Sequence, residues 1–132
     1  MGSSGKPNLA VGLITTRDAH ERRMTGAAGL AAHVVEVIAT IENVGDALAG
    51  ETTTRFWLNG EGVDRELRVV YTPEILPGDA IEVTALWDLR DGPGDYVITV
   101  TADAFSQIDE LRTDNSSGKV WASVRGLHVE LF

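Results

Sequence analysis

From His33 onward the sequence alternates apolar and polar residues in short runs, and glycine, proline, asparagine or aspartate interrupts each run. Successive side chains of an extended chain point to opposite faces, so a period of two marks a strand with one buried face. Val35, Val37, Ala39 and Ile41 form one such face, opposite Val34, Glu36, Ile38 and Thr40, and Asn43-Val44-Gly45-Asp46 closes the run. Glu51 to Asn59 follows, with Thr54, Phe56 and Leu58 on a common face. Asn59-Gly60-Glu61-Gly62 then supplies glycines that can take the positive φ of a hairpin turn, and Arg65 to Tyr71 returns from it. Pro77-Gly78 has the residue order of a type II turn. It launches Ile81 to Trp87, where Trp87 is the expected large core residue. After the breaker cluster Asp91-Gly92-Pro93-Gly94-Asp95, Tyr96, Ile98, Val100 and Ala102 share a face, while Val97, Thr99 and Thr101 take the other. Asn115-Ser116-Ser117-Gly118 ends a polar loop, and Lys119 to Val124 resumes as a strand. Runs and turns at this spacing predict an all-β antiparallel sandwich.

Three further segments complete the organisation. Leu9 to Ile14 is too short for a signal-peptide core and reads as a strand. Residues 17–32 have some helical propensity, but Gly26 and Gly29 interrupt it, so a long loop with one helical turn at most is expected. After Gly126, Leu127 to Phe132 alternates like an extra C-terminal strand. Met1-Gly2-Ser3-Ser4-Gly5 resembles an expression-vector remnant, so residues 1–6 are read as a tag or flexible start and residues 7–132 as one domain.

Composition narrows the function classes. A chain of 132 residues can bury about two thirds of the surface its unfolded form exposes, so no staple is needed to fold it. Cysteine is absent, which excludes disulfides, thiolate metal sites and a cysteine nucleophile. A formal net charge of −9 repels phosphate backbones and anionic membranes, so no nucleic-acid partner is expected. No apolar stretch approaches the length of a membrane span, and no membrane insertion is expected.

Catalytic patterns are missing from the sequence. There is no G-x-S-x-G elbow, H-E-x-x-H helix or P-loop. Gly60-Glu61-Gly62 begins a dinucleotide pattern, but Arg65 stands where the third glycine belongs and a hairpin offers no helix N-terminus for a pyrophosphate. His20, His33 and His128 are scattered, without a second histidine at metal-ligand spacing.

Two features remain as candidate sites. The segment from Asp103 to Asn115 gathers four carboxylates against the single Arg112. Asp103, Asp109, Glu110, Asp114 and Asn115 offer the oxygen donors that a calcium ion takes in sixes to eights. The same residues could instead brace the loop by bonding its backbone while Ile108 and Leu111 plug the core, and no EF-hand spacing decides between these readings. Asp109 and Glu110 are adjacent and point opposite ways in an extended chain, which is a poor arrangement for acid and base on one substrate. The second feature is the pair Trp57 and Trp121, which fall out of phase with the apolar faces of their strands. If both rings face solvent they suit a protein or sugar contact; a bulge or a strand buried on both faces is the alternative.

The turn residues also form an ordered pattern. Pro7-Asn8-Leu9, Asn43-Val44-Gly45, Phe56-Trp57-Leu58-Asn59-Gly60, Leu76-Pro77-Gly78, Trp87, Gly94 to Asp103, Ile108 with Glu110, and Asp114-Asn115 follow one another along the chain. Together they resemble the cell-adhesion-related domain found in bacteria and archaea, CARDB, over about residues 7–125. The resemblance implies an immunoglobulin-like sandwich of about seven strands in surface or secreted proteins, with no catalytic activity to carry over. Tyr96 stands where such folds place a tyrosine corner, a tyrosine whose hydroxyl ties back to nearby backbone. Thr113 and Asp114 depart from the acid-then-paired-asparagine loop of the family, and residues 17–32 are longer than its pattern needs.

The expected function is therefore a non-catalytic extracellular adhesion, spacer or protein-binding module that meets protein partners or neighbouring domains. The alternative is a self-assembling structural subunit that uses its C-terminal strand as an edge, and a weaker one is a carbohydrate-binding accessory module.

Overall fold

The alternating runs become strands, and their apolar faces become the two inner walls of a sandwich. A computed structural model describes residues 6–18, 34–89, 92–104, 116–125 and 128–132. Its strands are β1 (Leu9–Asp18), β2 (Val34–Asn43), β3 (Thr52–Gly60), β4 (Val63–Thr72), β5 (Ala80–Asp88), β6 (Gly94–Thr101), β7 (Ser117–Arg125) and β8 (His128–Leu131). β1-β2-β5 form a three-stranded sheet and β4-β3-β6-β7-β8 a five-stranded one. All neighbouring strands are antiparallel. The immunoglobulin-like sandwich is thus present with its extra C-terminal strand.

The inner walls carry the rows read from the sequence. Val35, Val37, Ala39 and Ile41 of β2 are buried against Phe56 and Leu58 of β3 and Tyr96, Ile98 and Val100 of β6, all members of one core. Burying an aliphatic or aromatic side chain of this size stabilises the fold by about 1.5–3 kcal/mol. Trp87 on one sheet and Tyr96 on the other are both 0% exposed. Their ring centroids lie 5.3 Å apart at an interplanar angle of 76°, the edge-to-face geometry aromatic quadrupoles favour. The Tyr96 hydroxyl donates to the Gly92 carbonyl at 2.8 Å, so the tyrosine corner forms as expected. Its ring fills the core while its polar tip is satisfied by the turn that opens β6.

Asn43 ties together one pole of the sandwich. Its side-chain Oδ1 accepts from the backbone N–H of Asn8 at 3.1 Å and of Gly45 at 3.0 Å, and its Nδ2 donates to the carbonyls of Ala47 at 2.8 Å and Ile75 at 2.9 Å. One amide thereby uses two donor and two acceptor positions to join the start of β1, the β2–β3 loop and the β4–β5 corner. Gly45 is required beside it, because an added Cβ would lie 2.4 Å from the Lys6 carbonyl oxygen. At the β4–β5 corner Asp79 N–H donates to the Leu76 carbonyl at 3.0 Å across Pro77 and Gly78, and Gly78 has φ +84. This is the type II turn expected from the residue order.

One expectation is corrected. Arg17 and Asp18 belong to β1, which pairs Arg17 with Glu36 and Asp18 with Val35, and not to a loop. The strand changes register between Val11 and Ile14, so simple alternation loses phase at Gly12-Leu13. Beyond the irregularity Arg17 bonds the buried Glu36 carboxylate at 3.0 Å through Nε, which favours continuing the ladder. The rest of the expected loop, residues 19–32, lies outside the described residues.

Candidate binding face

The five-stranded sheet has one wall in the core and one toward solvent, and both sequence-singled tryptophans lie on the solvent wall. Paired residues in adjacent strands share a face, so the register defines rows across this wall. One row runs Asp64, Asn59, Val97, Trp121. Phe132 extends it, exchanging backbone hydrogen bonds with Trp121 at 3.1 and 2.9 Å. The next row runs Glu66, Trp57, Thr99, Lys119. On the other side of the Trp121 row lie Asp95, Ser123 and Glu130.

The two tryptophans differ in how they are held. Trp57 is half-buried, and its indole Nε1 donates to Asp64 Oδ1 at 2.6 Å. Asn59 Nδ2 donates to the same oxygen at 3.1 Å, and the Arg55 guanidinium lies 5.9 Å from the ring centroid, within cation–π range. Arg55 also approaches Glu66 at 3.5 Å. Trp57 is thus an anchored element of the face. Trp121 is 54% exposed beside the half-buried Val97, and Phe132 is 68% exposed. The register shift of the β3–β4 pair falls between Phe56 and Trp57 without moving Trp57 to the inner wall.

Tyr71 stands on the same wall at the end of β4. Its pKa is raised above the ordinary tyrosine value by a hydrogen bond with Glu51, with desolvation and the negative charges of Glu51 and Glu74 adding in the same direction. Val97, Phe132 and Tyr71 are contributors to the face that were not singled out as site residues. The outward phase of Val97 was visible in the sequence, but membership of one sheet was not.

The acidic segment is only partly described. Asp103 is 7% exposed and has φ +48, two residues past the end of β6 at Thr101. Asp109, Glu110, Asp114 and Asn115 lie outside the described residues. Among the described residues no group of three or more histidine, cysteine, aspartate or glutamate side chains could hold a metal ion.

Fold and face together define an immunoglobulin-like β-sandwich that presents an aromatic sheet wall. The sequence matches the CARDB family over residues 6–118, and the chain belongs to that family. CARDB is a family of non-enzymatic, adhesion-related domains of cell-surface proteins. Among solved structures the chain is similar to the CARDB domain of the PF1109 protein from Pyrococcus furiosus in complex with di-metal ions, with 20% identity and a TM-score of 0.69, covering 93% of this chain and 97% of that one. A domain of a putative cell surface protein from Methanosarcina acetivorans is similar at 17% identity and a TM-score of 0.63, with 92% and 94% of the two chains covered. β-Glucosidase 3B from Thermotoga neapolitana matches at 15% identity and a TM-score of 0.55, over 96% of this chain but only 17% of the glucosidase. No match was found among curated proteins.

Proposed function

We propose that this chain is a non-catalytic, protein-binding adhesion module of an extracellular or cell-surface protein, and that it makes its contact through the outer wall of the five-stranded sheet. The observation that carries this reading is the row Val97, Trp121, Phe132 with the anchored Trp57 beside it. Aromatic side chains contribute large contact areas at low entropic cost and are enriched at protein interfaces. Trp57, fixed by Asp64 and Arg55, loses little further freedom on docking.

A photo-cross-linking residue placed at Thr99 on this wall tests the reading, with one at Thr40 on the outer wall of the three-stranded sheet as control. In the full-length protein on its own cell surface, protein adducts are expected from position 99 and not from position 40. Absence of protein adducts at 99 sinks the reading.

The acidic segment carries a separate proposal of calcium binding by Asp103, Asp109, Glu110, Asp114 and Asn115. It is supported by the donor chemistry and by the di-metal complex of the Pyrococcus domain. Amide shifts confined to residues 103–115 during a calcium titration would support it. Unchanged spectra at about 1 mM calcium, the affinity range of extracellular modules, would reduce the segment to a braced loop.

A further inference from the structure

We infer that the outer wall of the five-stranded sheet docks a second copy of this chain, face to face, with Trp121 at the centre. The inference rests on the reading of this wall as a protein-binding face and names its occupant. The argument is the distribution of charge about the Trp121 row. On one side stands Lys119, in the row of Thr99 and Trp57; on the other stands Asp95, in the row of Ser123. Lys119 and Asp95 are both exposed, and neither forms an ion pair within the described residues.

Two faces that meet under two-fold symmetry have their axis in the plane of contact. An axis running across the strands along the Trp121 row reverses the order of rows. Trp121 and Phe132 then meet the partner's Trp121 and Phe132. Lys119 overlies the partner's Ser123, with the partner's Asp95 on the adjacent strand, and the symmetry repeats the contact. The apolar stretch of the row, Val97, Trp121 and Phe132, therefore lies at the centre of the contact with a positive-to-negative match on both sides, while Asp64, three strands away from Trp121 at the β4 end of the row, meets its own copy as a like charge that weakens the contact. Shifting one copy by a row sets Lys119 against the wrong row, so the charges also fix register. Aligned sheets pack about 10 Å apart, a gap that interdigitating indole and phenyl rings fill.

The scale of the face sets the strength of the contact. Five strands spaced roughly 4.8 Å apart give a wall roughly 20 Å wide. With strands of 8–10 residues, roughly 30 Å long, the wall offers about 600 Å², less than the roughly 800 Å² per partner of a standard interface, so a transient dimer is expected with Kd between about 10 µM and 1 mM. The formal charge of −9 on each chain opposes approach at low salt. At physiological ionic strength the screening length of about 8 Å removes most of that repulsion while leaving contact-range pairs effective.

Sedimentation velocity at physiological salt, over protein concentrations up to about 1 mM, is the test. The wild-type chain is expected to move from monomer toward dimer mass. Trp121→Thr should weaken association by about tenfold or more. Lys119→Glu should weaken it about fivefold, and adding Asp95→Lys to that variant should restore it. Unchanged far-ultraviolet circular dichroism melts establish that the variants are folded. A wild-type chain that stays monomeric throughout overturns the inference, as does a dimer indifferent to Trp121→Thr, which would place the contact elsewhere, for example at the β8 edge. Trp121-dependent binding of an oligosaccharide by a monomeric chain also overturns it, in favour of a sugar. If position 99 cross-links a different protein while the chain stays monomeric, the protein-binding reading survives and the second copy does not.

Discussion

Trp87 and Trp121 are the same residue at opposite extremes of the same sandwich. Trp87 is 0% exposed and packs edge-on against Tyr96, bridging the two sheets; Trp121 is 54% exposed on the outer wall of the five-stranded sheet. The environment of the first is fixed by the chain itself, so its free energy is spent within the fold. The second keeps most of its contact surface for something outside. Strand alternation alone produces this difference, because one step along a strand moves a side chain from one world to the other.

If this contrast holds, substitutions should sort by wall. Trp87→Ala should have the largest effect, about 3–5 kcal/mol of lost stability, because it leaves a cavity between the sheets and deprives Tyr96 of its neighbour. Chemical denaturation measures it, and a loss below about 1 kcal/mol would mean the two sheets close over the gap. Asn43→Ala removes an amide that satisfies buried backbone groups from three segments, and a loss of about 2–3 kcal/mol is expected from the same experiment. Tyr96→Phe keeps the ring and deletes only the bond to Gly92, so about 1 kcal/mol is expected. A neutral result would show that water satisfies the Gly92 carbonyl equally well. Trp121→Thr should change stability by about 0.5 kcal/mol or less, since threonine suits an exposed strand position. A loss rivalling that of Trp87→Ala would erase the distinction between the walls.

The inner walls were legible because burial on one face imposes a period of two. Val35 to Ile41 and Tyr96 to Ala102 needed nothing beyond that period, and Trp87 and the Tyr96 corner followed from it. β1 runs longer than alternation suggests for the same reason inverted: the irregularity between Val11 and Ile14 shifts the phase, so that Ile14 packs into the core out of step with Leu9 and Val11. Alternation is also silent about which strands share a sheet. That β6 joins β3 on the side away from the β3–β4 hairpin, and so places Thr99 and Val97 beside Trp57 and Asn59, depends on long-range pairing. The Asn43 hub could not be read from spacing, because its partners at positions 8, 45, 47 and 75 come from three segments far apart in the sequence. Only the ordered family resemblance placed those segments in one pattern. For the candidate face, the outward phase of Trp57 and Trp121 was legible. The anchoring of one ring and the exposure of the other were not, since they depend on cross-strand neighbours.

The direction of β8 has a mechanical consequence. β1 and β7 begin at the same pole, where Ser116 Oγ donates to the Leu9 carbonyl at 3.4 Å, and β8 runs back from the far end of β7 toward that pole. Tension between Lys6 and Phe132 therefore does not pull on the sandwich lengthwise at first. It unzips β8 from β7 pair by pair, from Trp121 and Phe132 to Arg125 and His128, a geometry that breaks few hydrogen bonds at a time. Once β8 is free, the pulling point moves to Arg125 at the opposite pole, and β1 and β7 must slide past one another along their length. β8 then behaves as a fuse that yields slack before the sandwich is stressed. A force trace from optical tweezers should show a short, low-force extension before the main unfolding event, and deletion of residues 127–132 should remove that first step alone.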